Sequence, residues 1–421
     1  MKRKIKNILV AVQQRNLLSY IPTTIFTVVA AVISIPILTR WFTPEIYGKY
    51  ALVLAGISLS TTLGGGWLYQ SILRYYTGEL ETGEWRLFFK LSLLGSLVIV
   101  SFSIPLWYIF VEFRDYSIAA SLFIFLCIPF RTINVMDRVE EHPFRYSIWD
   151  SGLNAGKLLL GILIIWQTNR RLGMQSIFWA GSVIMIFGLI NLLTVKVTQL
   201  RNLKKPIVSA KKLLSYGLPL ALAQLSVWLF SMSDTFLLKV FHDNATVGIF
   251  SVVNGLINRT IHIIPVAIML AAWPTLVKIF RKSGWPLAVR EHASQVKIYL
   301  FIMLPVIFVF LVFAKSGYQL FVHEKYWAGT IIILPLTIGT FLLGLSQYYL
   351  NTFNLAEQSH KVTLVLLVTG GLKVIISFCL VPHYSYIGAS WATCIAYGIL
   401  AFWSIYWSHR TFGVNLPWQK G

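Results

Sequence analysis

Apolar residues fill this chain in blocks of roughly twenty, divided by short polar turns, and that is the length an α-helix needs to cross the hydrocarbon of a bilayer. About twelve blocks can be marked, near residues 17–39, 50–72, 88–110, 117–135, 147–167, 173–195, 213–238, 246–270, 294–314, 328–350, 361–381 and 385–407. Each is predicted to be a transmembrane helix, so the fold class is an all-α polytopic membrane protein. The loops between them leave no extramembranous domain. An even number of spans puts both termini on one side of the membrane.

The pattern reads twice. Leu17-Leu18-Ser19-Tyr20 opens the first span and Leu213-Leu214-Ser215-Tyr216 the seventh, each followed by a proline, Pro22 and Pro219. Leu38 to Trp41 and Tyr47-Gly48-Lys49-Tyr50 match Leu238 to Phe241 and Val247-Gly248-Ile249-Phe250, and Pro105 matches Pro305. Glu141, Arg145 and Lys157 recur as Glu357, Lys361 and Lys373, 216 residues later. These matches predict two pseudo-symmetric six-helix lobes, 1–200 and 213–421, joined by a basic cytoplasmic linker, 201–212. With six spans each, the copies run the same way through the membrane. That is the plan of transporters built from parallel repeats, in which halves rock around a substrate near the midplane.

Composition agrees with the pattern: 57% hydrophobic and 12% charged residues are too apolar for one water-soluble core. The net charge of +21 raises nucleic-acid binding, and the placement of the charges argues against it. With a cytoplasmic N-terminus, about 25 of the 36 Lys and Arg fall in cytoplasmic loops and tails and about 8 on the opposite side, the positive-inside bias. The run Lys2, Arg3, Lys4, Lys6 and the segment from Lys196 through Lys204, Lys205, Lys211 and Lys212 are then orientation signals that also meet anionic membrane lipids. The N-terminus lacks the short apolar core and small-residue cleavage site of a removable signal peptide. Cys127, Cys379 and Cys394 all lie in predicted spans and suggest no disulfide framework.

Within the spans, polar groups fall at helical spacing. Lys157, Lys373 and Arg259 are each placed roughly 15 to 18 Å deep, at about 1.5 Å per residue, where a cation must face a protein interior or a wet cavity. Asp150, Asn154 and Lys157 share a face, as do Thr369, Lys373 and Ser377; Asn254, Asn258 and His262 form a stripe beside Arg259. Gln347, Asn351 and Asn354 form another on the tenth span, and Gln224, Ser231 and Asp234 nearly align on the seventh. Such stripes also serve as interhelical hydrogen bonds. Asp234, near the outer end of its span and about 14 Å shallower than Arg259, is left either to bind a proton or a sodium ion or to sit at the interface, hydrogen-bonded at a helix end. Arg74 follows Gln70 at the inner end of the second span, either interfacial or ligand-binding.

The sequence carries no complete catalytic motif. Gly152 to Gly156-Lys157-Leu158 is one residue short of a phosphate loop, has no Ser or Thr after the lysine, and lies in a span. The eight histidines are scattered and no pair has zinc-hydrolase spacing. An enzyme is therefore not expected, and no cofactor or metal is implied.

The outer loop Arg40-Trp41-Phe42-Thr43-Pro44-Glu45-Ile46-Tyr47-Gly48-Lys49-Tyr50, the run Leu63-Gly64-Gly65-Gly66, Arg74-Tyr75-Tyr76, and Ser233-Asp234 to Phe250 together resemble the Wzx polysaccharide flippases. These belong to the wider multidrug, oligosaccharidyl-lipid and polysaccharide exporter superfamily. The resemblance implies an undecaprenyl-pyrophosphate-linked oligosaccharide repeat unit, such as that of O-antigen, turned across the bacterial inner membrane. It also implies contact with other polysaccharide assembly proteins. Arg259, Lys157, Lys373 and Arg74 would meet the pyrophosphate, Asn254, Asn258, Gln347 and Asn351 the sugars, and Asp234 a coupling ion. In this fold the fifth and eleventh spans lie away from the central interface, so each lysine is expected to line its own lobe. The competing readings are an ion-coupled drug antiporter with an acidic cavity, and a membrane enzyme of glycan assembly.

Overall fold

A computed structural model of the chain describes residues 26–76, 84–140, 142–197 and 209–413, and among these the regular structure is entirely helical. In chain order the helices are α1 (Phe26–Trp41), α2 (Pro44–Tyr75), α3 (Glu84–Ile109), α4 (Ser117–Val139), α5 (Pro143–Ser151), α6 (Lys157–Gln167), α7 (Ser176–Val197), α8 (Ala210–Phe241), α9 (Asn244–Thr260), α10 (Ile263–Phe321), α11 (Ile333–Leu355) and α12 (Ser359–Phe412). A single π turn, Gly152–Gly156, joins α5 to α6. Of the sequence signals, Lys2 to Pro22, Glu141 and Lys204-Lys205 lie outside the described residues.

Among the described residues nine helical runs are long and apolar enough to cross a membrane, and two of them, Asn244–Phe321 and His360–Phe412, are long enough for two crossings. The breaks that make this possible are local. α10 turns at Gly284 (φ 71°) and α12 at Ser385 (φ 52°), both in the left-handed region. With α1, this yields the roughly twelve spans that hydropathy predicts. Phe102, Ile109, Phe301, Phe308 and Phe402 are all exposed, Phe301 at 81%. Water would penalise such a surface; lipid accepts it.

The chain divides into two compact units, one of residues 1–38 and 53–225, the other of 39–52 and 226–421. In the first, α4 packs against α3 and α7, and α6 against α7. Its core includes Trp67, Leu68, Ile72, Trp85, Phe88, Met136 and Leu213. Gly217 brings α8 so close to α2 that an added Cβ would lie 2.3 Å from the Trp67 carbonyl oxygen, and the Ser71 hydroxyl donates to the Leu213 carbonyl across the same contact at 3.0 Å. In the second unit α11 packs on α10 and α12, with Phe230, Leu350, Ala396 and Leu400 forming one core and Leu276, Ala288 and Leu355 another. Since lipid tails are as apolar as these side chains, helix association here rests on close packing and hydrogen bonds rather than on water exclusion.

That rule is most visible where α2 meets α9, within the second unit. A Cβ built on Gly48 would stand 1.8 Å from the carbonyl oxygen of Asn244, and one on Gly248 would stand 1.9 Å from that of Pro44. These glycines occupy matching places in the two sequence repeats, and each repeat offers its helix N-terminus to the other's.

Candidate functional site

A buried polar cluster of the second unit joins α8 to both halves of α12. Thr369, Lys373 and Ser377 lie one turn apart and are all fully buried, as their spacing predicts. Opposite them stands Asp234, 2% exposed. Its Oδ2 is 2.8 Å from Lys373 Nζ, Ser377 donates to Oδ1 at 2.8 Å, and Thr393 donates to Oδ2 at 2.6 Å. The lysine also donates to the Phe230 carbonyl, one turn before Asp234. Two glycines permit the arrangement. Gly370 lets α12 approach Phe230, and Gly388, whose Cβ would meet the Leu380 carbonyl oxygen at 2.4 Å, lets α12 fold back after Ser385 to deliver Thr393. Lys373 and Asp234, assigned separate roles from sequence, are thus each other's partner.

A second polar feature of this unit is more open. On α9 the Asn258 amide donates to the carbonyl and side-chain oxygens of Asn254, both at 2.9 Å. Arg259, half-buried beside them, hydrogen-bonds the Tyr47 hydroxyl. On α11 the stripe Gln347, Asn351, Asn354 faces the region after α9. Gln347 Nε2 is 3.4 Å from His262 Nε2, Asn351 contacts Met269 Sδ at 2.9 Å, and Asn354 donates to Asn351 at 3.2 Å. His262, in the break between α9 and α10, therefore joins the two amide stripes. A guanidinium with several amides and an imidazole can bind an anion together with hydroxyl groups.

The first unit holds the rest. Lys157 begins α6 directly after the π turn, half-buried, with its ammonium 5.6 Å from the Phe123 ring centroid. Asn154 donates to Asp150 at 3.2 Å. Arg131 on α4 is exposed, with Tyr69 and Asp150 within electrostatic reach. Sequence reasoning passed over Arg131, although its signal was available, a cation inside the fourth predicted span. Arg74 and Lys212 form a cation–aromatic ladder, with Arg74 5.3 Å from the Tyr216 ring, Lys212 5.1 Å from the Tyr75 ring, and the two rings edge-to-face at 5.3 Å. Gln70, Leu73, Arg74, Tyr75 and Tyr216 line an open groove of about 490 Å³. Arg145, paired with Lys361 in the sequence repeat, forks onto the buried Asp137, with Nε to Oδ2 at 2.7 Å. Among the described residues no group of three or more His, Cys, Asp or Glu is arranged to hold a metal ion.

Comparison with solved structures defines the class. The lipid II flippase MurJ in an inward closed conformation aligns with a TM-score of 0.72 at 12% identity, over 93% of this chain and 86% of that one. An inward-facing multidrug resistance MATE family transporter of the MOP superfamily aligns with a TM-score of 0.67 at 17% identity, over 93% and 94%. A MATE transporter in complex with MaL6 aligns at 0.64 and 16% identity, over 94% and 96%. The fold is that of MOP-superfamily transporters, in a multi-pass membrane protein. A family model described as polysaccharide biosynthesis protein matches residues 14–280, well over half of the chain. The chain belongs to that family, in keeping with the resemblance to Wzx flippases. Comparison with curated protein sequences finds no match.

Proposed function

We propose that this protein is a flippase that turns an undecaprenyl-pyrophosphate-linked oligosaccharide repeat unit from the cytoplasmic to the outer leaflet of a bacterial inner membrane by alternating access. The observation that carries the reading is Arg259 on α9, next to the Asn254–Asn258 pair, with the α11 amide stripe reached through the His262–Gln347 contact. A pyrophosphate is a strong acceptor for a guanidinium, and Asn and Gln amides suit sugar hydroxyls. The lipid tail never needs to leave the hydrocarbon, so only the headgroup requires a polar path.

In this reading Arg259 holds the headgroup phosphate, Asn254, Asn258, Gln347 and Asn351 hold sugar hydroxyls, and Lys157 extends the positive field. Arg74 and Lys212 meet anionic lipid and the arriving headgroup at the inner surface, and both termini are taken as cytoplasmic on the positive-inside bias. The division into lobes 1–200 and 213–421 with the linker 201–212 is retained, and an ion gradient is the energy source. A protein that moves its substrate without breaking a bond needs no catalytic group. Other polysaccharide assembly proteins would supply and remove the substrate.

The test is surface polysaccharide in cells carrying Arg259→Ala or Arg259→Lys. A hydrogen bond to a charged group contributes about 1.5 to 3 kcal/mol, so Ala should slow flipping roughly 10- to 150-fold. Lys, a point charge without the planar fork, should restore part of it. Normal surface glycan with Arg259→Ala at wild-type protein level would refute the assignment. Drug export that depends on Arg259, with glycan unchanged, would support the antiporter reading instead.

A further inference from the structure

The Lys373 ammonium contacts the Asp234 carboxylate and the Phe230 carbonyl on α8, and the Ser377 hydroxyl on the first half of α12 and the Thr393 hydroxyl on the second half donate to the same carboxylate. One carboxylate, one carbonyl and two hydroxyls form a hard, oxygen-only set with a single net negative charge. That is the chemistry that selects a small monovalent cation. Lys373 and Asp234 side chains are 1% and 3% exposed, so the set is closed off from the surroundings. A simple ion pair inside a membrane needs only a carboxylate and an ammonium. The Phe230 carbonyl takes a second ammonium proton and the two hydroxyls donate to the carboxylate's other lone pairs, so four oxygen-bearing groups from three helical segments converge on one charge pair.

We propose that this is a monovalent-cation site whose cation is built into the chain, with the Lys373 ammonium standing where a free sodium ion would otherwise bind. The native protein then neither binds nor releases sodium here, and whatever gradient drives it acts elsewhere. Shortening residue 373 vacates the site and leaves an uncompensated carboxylate, which recruits sodium from solution. The inference does not rest on the flippase reading, because its measurements involve no substrate.

The experiment uses the purified full-length protein in detergent, with sodium chloride exchanged for choline chloride at constant ionic strength. Thermal unfolding and binding of radiolabelled sodium are both measured. Wild type and Asp234→Asn should show the same sodium binding and the same sodium dependence of unfolding, because this site holds no sodium. Lys373→Ala should unfold at lower temperature in choline and recover by at least about 2 °C in excess sodium, with about one sodium bound. Adding Asp234→Asn to Lys373→Ala should abolish both effects. Lys373→Met, which fills the space with an apolar chain, should be destabilised without any response to sodium. If Lys373→Ala does not fold, Lys373→Ser, which adds an oxygen, is purified in sodium and then exchanged into choline. Sodium binding or stabilisation in wild type that Asp234→Asn removes would overturn the proposal. So would indifference to sodium in both folded small-residue variants, or the same response in Lys373→Met.

Discussion

Replacing Gly48 by Ala puts a methyl group where there is no room for one. The added Cβ falls 1.8 Å from the Asn244 carbonyl oxygen, whereas ordinary contacts begin near 3.4 Å, so the N-termini of α2 and α9 must part by about 1.6 Å. The obstacle is backbone, which no rotamer change can move aside. Ala restores roughly 1 kcal/mol of helix propensity over Gly. Forced overpacking costs about 1 to 3 kcal/mol and sometimes more, and opening the seam also forfeits the close packing on which membrane helices depend. The expected net loss is about 2 kcal/mol. Gly248→Ala, against Pro44, should cost about the same. Because both methyl groups open one seam, the double variant should cost clearly less than the sum of the two singles. The assay is the midpoint of heat-induced unfolding in detergent, with Gly317→Ala as control, since nothing lies within 4 Å of that site and the substitution should be neutral or slightly stabilising. Wild-type midpoints for both single variants, or strict additivity in the double, would refute the argument.

Other outcomes can be read the same way. Arg145→Ala should leave the fully buried Asp137 without its guanidinium and cost roughly 3 to 5 kcal/mol in unfolding experiments; Arg145→Lys should recover only part, because it cannot fork. Asp243 caps α9 by accepting from the Thr246 amide at 2.8 Å, so Asp243→Ala should cost about 1 kcal/mol. The same bonds to Thr246 hold the Asp243 carboxyl below its usual value of 3.8. A depressed acid stabilises the fold fully above that value and loses the contribution as pH falls through the lower folded value, so Asp243→Asn should flatten only the acid limb of a stability profile below about pH 4. Tyr216→Leu should weaken binding of anionic vesicles by removing the ring that holds Arg74 in place, and unchanged binding would dismiss the ladder as a headgroup contact.

Most of the helical plan was legible because the bilayer imposes one strong rule: a span needs about twenty apolar residues. Breaks were harder to see. Residues near Pro382 to Ser385 showed one, whereas the break at Ile261 and His262 falls inside what hydropathy reads as the single block 246–270. Helical spacing correctly put Thr369, Lys373 and Ser377 on one buried face, but it says nothing about which helix lies opposite. Asp234 is 139 residues away from Lys373, and a depth counted along the helix axis ignores the reach of a lysine side chain. Arg131 lies only four residues from the inner end of the fourth predicted span, 117–135, where a cation reads as a flanking charge. Its neighbours Tyr69 and Asp150 come from other helices.

The wide turn at Gly152–Gly156 separates two kinds of register that usually travel together. From Arg145 to Lys157 and from Lys361 to Lys373 the chain counts the same twelve steps, yet the first path runs through a π turn and the second through unbroken α-helix. A π turn advances each residue through a smaller angle, so equal counting ends about a quarter turn apart. Duplicated text has kept its linear phase while losing its angular phase, and the two lysines came to face different company. One rests over the Phe123 ring while the other lies in a carboxylate's grip, a divergence that substitution counts between the two halves would never register.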